Sequence, residues 1–214
     1  MSIFEKIPNI SPKAFIAPSA SVIGDVTIGE RSSVWYNSVV RGDVNYVKIG
    51  SDTNIQDGSV VHVSRSNIGG AVLPTIIGDR VTVGHSAVLH ACTLEDESFI
   101  GMGASILDGA VVGSKAMIAA GALVTPGTKV PSGELWAGVP AKYMRKLSDE
   151  ELAHLKTSST NYAELGHHHS VENAKSFDEI LADIERRKEE EERSEDYDSH
   201  LGIKRGVATG TSAS

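Results

Sequence analysis

The sequence has little of what secreted, membrane-spanning or nucleic-acid-binding proteins require. A single cysteine, Cys92, excludes an intrachain disulfide and is typical of a reducing compartment. No apolar run approaches the ~20 residues of a membrane-spanning helix, and residues 1–8 resemble neither a signal nor a transit peptide. The net charge of -8 disfavours binding to nucleic acid or an anionic membrane. Aromatic residues are only 5% of the chain, which predicts a core of aliphatic side chains.

What the chain does contain is an aliphatic residue at every sixth position, with two breaks and one slip. The repeat comprises Ile16, Val22, Ile28, Val34, Val40, Ile49, Ile55, Val61, Ile77, Val83, Leu89, Leu94, Ile100, Ile106, Val112, Ile118, Val124 and Val130. This period fits neither an α-helix nor a half-buried strand. It is typical of a parallel β-helix, in which each short rung turns one corner and buries one aliphatic side chain. Three rungs form one triangular coil, and coils stack about 4.8 Å apart.

The sequence changes character after the repeat. Two Ser-x-x-Glu capping boxes, at 148–151 and 176–179, each predict the start of a helix. We expect the first helix to end near Leu165 and the second, charged helix to end near Arg193. The chain is therefore divided into a β-helix domain, a C-terminal helical extension and a flexible tail, over residues 1–146, 147–203 and 204–214.

Three histidines lie inside the repeat, and their positions within it predict where they point. His62 follows Val61 by one residue, and His90 follows Leu89 by one. If these two aliphatic residues occupy one face of successive coils, the histidines lie about 4.8 Å apart and can bind one metal ion. His85 lies on a different face and cannot easily reach that ion within its own chain. The pattern predicts a trimer in which His85 of one chain completes the site of the next, with a fourth position left for water.

The other histidines are expected to have ordinary roles. His154 and His200 are expected at the surface. The run 167–169 is expected beyond the end of a helix, where neighbouring side chains diverge.

Polar residues occupy the same columns as the histidines. Arg41 falls in the column of the first two histidines, and Asp43 lies nearby on the same turn. Gln56 and Asp57 fall on the face that carries the third histidine. If two chains meet at a metal ion, Arg41 should confront Asp57 across the interface, where an ion pair would align the subunits and orient the ligands.

The combination of these segments resembles the gamma-class carbonic anhydrases. The matching segments are Val40-Arg41-Gly42-Asp43, Asn54-Ile55-Gln56-Asp57, Val61-His62-Val63 and Gly84-His85-Ser86-Ala87-Val88-Leu89-His90. The resemblance covers roughly residues 8–165. It implies a left-handed parallel β-helix, assembled as a trimer with metal at the subunit interfaces.

The resemblance also implies an activity and a set of residues for it. The reaction is hydration of carbon dioxide to bicarbonate and a proton by a metal-bound hydroxide, with zinc or iron(II) as the metal. The implied metal ligands are His62 and His90 of one chain and His85 of its neighbour. Gln56 is implied to orient the hydroxide. The residues implied for catalysis are Arg41, Asp43, Asn54, Gln56, Asp57 and Tyr162.

A narrower resemblance concerns three further segments. Residues 66–70, 131–134 and 195–203 are similar to the mitochondrial members of the family in plants and green algae. Those proteins form a heterotrimer on the matrix side of respiratory complex I. The resemblance implies a homo- or heterotrimer with other gamma carbonic anhydrase subunits, docked on the membrane arm of complex I at the matrix side of the inner membrane. We expect no presequence within this chain.

The proton-transfer glutamates of the archaeal archetype have no counterpart here. Val44 follows the Arg-Gly-Asp tripeptide where that archetype has a glutamate, and the loop 64–74 contains no carboxylate. We therefore expect slow hydration at an otherwise intact site. Two alternatives remain open: a non-catalytic structural or assembly subunit of complex I with a vestigial metal site, and a hexapeptide acyltransferase, an enzyme class that typically uses one general-base histidine.

Overall fold

The aliphatic repeat folds into a parallel β-helix with three faces, each a ladder of short parallel strands. In the computed structural model, residues 1–66, 70, 72–193, 197–198 and 203–204 are described. The first face consists of the strands Phe15–Ile16, Ser33–Val34, Asn54–Ile55, Thr82–Val83, Phe99–Ile100, Met117–Ile118 and Glu134–Ala137. An antiparallel strand, Lys142–Lys146, pairs with the last of these and ends the ladder.

The other two faces share two long strands, Ser21–Ile28 and Val39–Ile49, which bend around an edge of the prism. The second face continues with Val60–His62, Val88–His90, Ser105–Ile106 and Leu123–Val124. The third face adds Asn9–Ile10, Thr75–Ile77, Thr93–Leu94, Val111–Val112 and Lys129–Val130.

The strand register confirms the coil assignment predicted from the repeat. Ile49 pairs with Ile77, Ile55 with Val83, and Val61 with Leu89. All six side chains are almost completely buried. A slip of one residue would turn the whole aliphatic column towards solvent. Such a slip is costly, because burying each of these side chains contributes about 1.5–3 kcal/mol. The register that positions the histidines is therefore fixed by the core.

One corner of the prism carries charges of alternating sign. Arg31, Asp52, Arg80, Glu97 and Lys115 each stand three residues after a buried aliphatic residue of the third face, and all have φ between 55° and 61°. Arg31 pairs with Asp52 at 2.5 Å, and Glu97 pairs with Arg80 at 3.0 Å and with Lys115 at 3.7 Å. These ion pairs connect successive coils, and at such partly exposed positions each contributes at most about 1 kcal/mol.

The first predicted helix, α1, spans Asp149–Ala174 and begins at the predicted capping box. The Glu151 N–H donates to Ser148 Oγ at 3.2 Å, and the Ser148 N–H donates to Glu151 Oε2 at 2.9 Å. Arg145 also donates to the Glu151 carboxylate, and together with the Ser148 N–H it lowers the pKa of Glu151 to about 2. The capping box that the sequence predicts is therefore formed, and it provides acceptors for backbone N–H groups at the start of the helix.

The prediction that α1 ends near Leu165 was wrong, because the helix continues to Ala174. Gly166 lies inside the helix and does not cap it. A Cβ at Gly166 would stand 3.3 Å from Ser33 Cβ and 3.4 Å from Phe15 Cβ, so the glycine lets the helix lie close against the prism. The histidine run 167–169 is therefore helical as well.

The chain divides into two compact units, 1–173 and 174–214. In the second unit, helix α2 spans Phe177–Arg193 and begins at the second predicted capping box. The strands Tyr197–Asp198 and Ile203–Lys204 pair antiparallel. The predicted flexible tail 204–214, apart from its first residue, lies outside the described residues, as does much of the segments 66–70 and 195–203. Within the described residues, no helix has the length and hydropathy that crossing a membrane requires.

Candidate metal centre

Two of the three predicted metal-binding histidines lie side by side on the second face. His62 and His90 pair directly in the strand register, and their ring centroids are 5.3 Å apart. Their side chains are 21% and 35% exposed, so both rings lie at the outer surface of the prism. The structure brings together the pair that the repeat predicted, and two imidazoles at this spacing can converge on one ion.

Each ring of this pair contacts a carboxylate from a neighbouring coil. His62 Nε2 lies 2.9 Å from Asp43 Oδ1, and His90 Nδ1 lies 2.5 Å from Asp108 Oδ1. A carboxylate on one ring nitrogen fixes the orientation and tautomer of an imidazole and leaves the other nitrogen for a metal. The pair therefore has the hydrogen bonding expected of metal-ligating histidines.

Asp43 is held as an anion by its neighbours. Burial alone would raise the pKa of its carboxyl, but the hydrogen bonds from His62 and the Val44 N–H and the charge of Arg41 lower that pKa to about 2. Arg41 forms an ion pair with Asp43 in the single chain. The predicted contact of Arg41 with Asp57 of another chain stays a prediction.

His85 lies on the first face, away from the other two histidines. It stands two residues after Val83, directly above Asp57, and its Nδ1 lies 2.9 Å from Asp57 Oδ2. This histidine is therefore also paired with a carboxylate, while its ring is 44% exposed. In the described part of a single chain, no group of three His, Cys, Asp or Glu side chains is placed to hold a metal ion.

Gln56 is fixed beside His85 by a chain of buried hydrogen bonds. Gln56 as a whole is only 6% exposed, and its Nε2 donates to Asn54 Oδ1 at 3.0 Å. Asn54 Nδ2 in turn donates to Thr82 Oγ1 at 3.0 Å. Because the hydrogen bond to Asn54 uses the Gln56 amide nitrogen, the carbonyl oxygen of the same group can still accept a hydrogen bond.

Helix α1 covers this part of the first face and brings Tyr162 to it. The Tyr162 ring packs edge-on against Trp35 with centroids 5.6 Å apart. Burial, and secondarily the charge of Asp57, raises the pKa of the Tyr162 hydroxyl. A cavity of about 390 Å³ lies between helix and prism, and the residues that line it include Gln56, His85, Phe99, Met102, Met117, His154, Ser158 and Tyr162.

The histidine run on α1 is not a second cluster of ligands. The His169 ring packs against Trp35 with centroids 4.8 Å apart, and its Nδ1 lies 2.9 Å from Tyr36 Oη. Asn173 Nδ2 donates to the same hydroxyl at 3.0 Å. His169 therefore attaches the end of α1 to the prism.

Sequence reasoning missed two residues of this region. Asp108 stands two residues after Ile106, which pairs with Leu89, so counting one more coil would have placed its carboxylate beside His90. His154 was predicted only to be exposed, which is correct. His154, Ser158 and Tyr162 form one stripe of α1, and all three line the cavity.

The fold first defines a class, the hexapeptide-repeat β-helix proteins. A sequence profile described as "Hexapeptide repeat of succinyl-transferase" matches residues 74–108 and 92–126. A crystal structure of a hexapeptide transferase family protein from Anaplasma phagocytophilum is 46% identical, with a TM-score of 0.72, over 77% of this chain and 94% of that one.

The comparisons with whole sequences then identify the family. Gamma carbonic anhydrase 2, mitochondrial, of Arabidopsis thaliana is 57% identical over 96% of this chain and 74% of its own length. A probable carbonic anhydrase of Methanocaldococcus jannaschii is 47% identical over 73% of this chain and 94% of its own. A profile described as "Gamma carbonic anhydrase 1, mitochondrial C-terminal domain" matches residues 152–212. This chain belongs to the gamma carbonic anhydrase family.

Proposed function

We propose that this protein is a carbonic anhydrase that hydrates carbon dioxide to bicarbonate and a proton, at a zinc or iron(II) site shared between the chains of a trimer. The observation that carries the proposal is the arrangement of the three carboxylate-bound histidines. His62 and His90 face each other on one side of the prism, whereas His85 stands on another side. One chain thus offers two ligands at one surface and the third ligand at a different surface.

The donor set suits the proposed metal. Three imidazoles, each hydrogen-bonded to a carboxylate through one nitrogen, are typical zinc ligands and also suit ferrous iron. His62 and His90 of one chain and His85 of the next would hold the ion. A metal bound there would lower the pKa of a water ligand to about 7 and supply the nucleophile at neutral pH.

The neighbouring residues have roles that follow from their contacts. Gln56, with its amide nitrogen held by Asn54, would present its carbonyl oxygen to the reacting water and orient it. Asp57 would fix the His85 ring, and Asp43 the His62 ring. Across the interface, Arg41 would exchange part of its pairing with Asp43 for Asp57 of the neighbouring chain.

The assembly and location that we propose follow the relatives. The Arabidopsis relatives are mitochondrial proteins, and one of them is 57% identical to this chain. We infer that the trimer is formed with copies of this chain or with other gamma carbonic anhydrase subunits. We place it at the matrix side of the inner mitochondrial membrane, associated with the membrane arm of complex I.

One observation favours a second candidate, a structural subunit with a vestigial site. Val44, where the archaeal archetype carries a proton-transfer glutamate, is an exposed apolar residue. The loop 64–74 also contains no carboxylate. If no other group accepted the proton, hydration would be slow in weak buffer and assembly would be the main role.

Stopped-flow measurement of carbon dioxide hydration tests the proposal. The purified, zinc-loaded protein should accelerate hydration in strong buffer, and His90→Ala should abolish the acceleration at an unchanged trimeric mass. His168→Ala, which removes an exposed histidine of α1 outside the cavity, is the matched control and should retain the rate. A zinc-loaded trimer without any hydration activity would favour the structural role.

A further inference from the structure

The proposed reaction releases one proton per turnover, and that proton must leave the site. Hydration converts carbon dioxide and water into bicarbonate and a proton, so the hydroxide nucleophile would be regenerated only when a base accepts a proton from water. Position 44, which is a valine, and the loop 64–74 lack the glutamates that serve this purpose in the archaeal archetype. Another base would therefore have to lie near the site, and the cavity between α1 and the first face borders it. This inference rests on the proposed function.

Helix α1 presents one stripe of polar residues to the cavity. His154, Ser158 and Tyr162 are spaced by four residues, so they lie on the same side of the helix. The opposite wall contains Gln56 and His85, the two predicted site residues of the first face. His154 thus shares a cavity with a proposed metal ligand although the two residues are distant in sequence.

The position of His154 is fixed by anchors on both sides. Towards the C-terminus, Ser158 Oγ lies 3.3 Å from Thr82 Oγ1, and Tyr162 packs against Trp35. Next to His154, Leu155 is almost completely buried in a cluster with two leucines of the last coil region. The helix therefore cannot rotate His154 away from the cavity, while the imidazole itself remains exposed to solvent.

The other groups of the cavity are poor candidates for accepting the proton. Phe99, Met102 and Met117 are apolar. Burial and the charge of nearby Asp57 raise the pKa of Tyr162, which keeps its hydroxyl protonated at neutral pH. Asp57 itself is paired with His85 Nδ1, and the remaining nitrogen of that ring is assigned to the metal.

We propose that His154 is the proton-transfer residue of the site to which its own chain contributes His85. The lone pair of one imidazole nitrogen accepts the proton released by hydration, through water in the cavity, and a buffer base removes a proton from the resulting imidazolium. Imidazole suits this role because it exchanges protons near neutral pH. His154 is in contact with solvent on one side and with the cavity on the other, as transfer to buffer requires.

The test compares His154→Ala with the wild-type protein in weak and strong buffer. In weak buffer the variant should lose at least ~10-fold in kcat, since a positioned acid–base group contributes roughly 100-fold or more. Its kcat/KM for carbon dioxide should be unchanged, because the proton leaves after the carbon–oxygen bond has formed. Added imidazole should restore kcat in His154→Ala. His168→Ala on the same helix should behave as wild type.

A measurement that does not depend on activity places His154 relative to the metal. Cobalt(II) in place of zinc should broaden or shift the NMR signals of the His154 ring, identified by their absence from His154→Ala. The signals of the His168 ring should change less. Zinc affinity should be equal in the wild-type protein and in His154→Ala, because His154 is not a ligand.

The outcomes separate the two proposals. If the wild-type protein hydrates carbon dioxide and His154→Ala matches it in weak buffer, the role of His154 is overturned and the proposed function stands. A His154 ring that does not respond to cobalt also overturns that role. If the zinc-loaded wild-type trimer is inactive in every buffer, imidazole included, both proposals fail.

Discussion

His90→Ala is expected to lose metal and carbon dioxide hydration together. The substitution removes one of the ligands that we assign to a three-histidine site and leaves His62 without the neighbour 5.3 Å away with which it would share the ion. Zinc affinity should fall by more than ~100-fold, because losing only the hydrogen-bond partner of a ligand already weakens metal binding by about 10- to 100-fold. Chelator competition measures this affinity, and stopped-flow spectroscopy measures the hydration rate.

The fold should survive this substitution. The His90 ring lies at the outer surface, whereas Leu89 beside it fills the core. The thermal unfolding temperature of metal-free His90→Ala should therefore stay close to that of the metal-free parent. An unchanged zinc affinity in this variant would contradict the proposed metal site.

Asp108→Asn is expected to weaken zinc binding by about 10- to 100-fold. Asp108 Oδ1 lies 2.5 Å from His90 Nδ1, so its carboxylate fixes the ring and raises the basicity of the other nitrogen. Asparagine has nearly the same shape but no charge, and either its amide oxygen or its amide nitrogen can face the ring. The altered affinity should therefore appear without a large loss of stability.

Glu95→Gln is the matched control for this variant. Glu95 accepts from the Ser114 N–H at 3.0 Å on the third face, away from the histidines. The control removes one carboxylate charge from the prism and should leave zinc affinity unchanged. Equal affinities in Asp108→Asn and the wild-type protein would show that the carboxylate does not act on the metal through His90.

The repeat predicted the β-helix and the pairing of His62 with His90 because a single physical constraint determines both. Each aliphatic side chain must point into a narrow core, so the phase of every neighbouring residue is fixed relative to it. Counting from Val61 and Leu89 was therefore enough to place the two histidines.

Contacts between helix α1 and the β-helix could not be predicted in the same way, because the sequence repeats of a helix and of a β-helix have different periods. The continuation of α1 past Gly166 depends on how closely the helix approaches Phe15 and Ser33, which the helix sequence does not contain. The position of His154 depends on the anchoring of Ser158 to Thr82 across 76 residues. Contacts between chains are a further step away, and the Arg41–Asp57 pair is expected from column positions alone.

The central claim is that one metal site uses residues of two chains, and subunit complementation tests it most directly. His62→Ala and His85→Ala would be co-expressed with two different affinity tags that contain no histidine, and trimers carrying both tags would be isolated. Neither variant alone should bind zinc at the site. In any mixed cyclic trimer, one interface joins an intact His85 to an intact His62 and His90, so zinc and hydration activity should return to about one third of wild type. Mixed trimers that bind no zinc, or a single variant that retains its full site, would contradict the account.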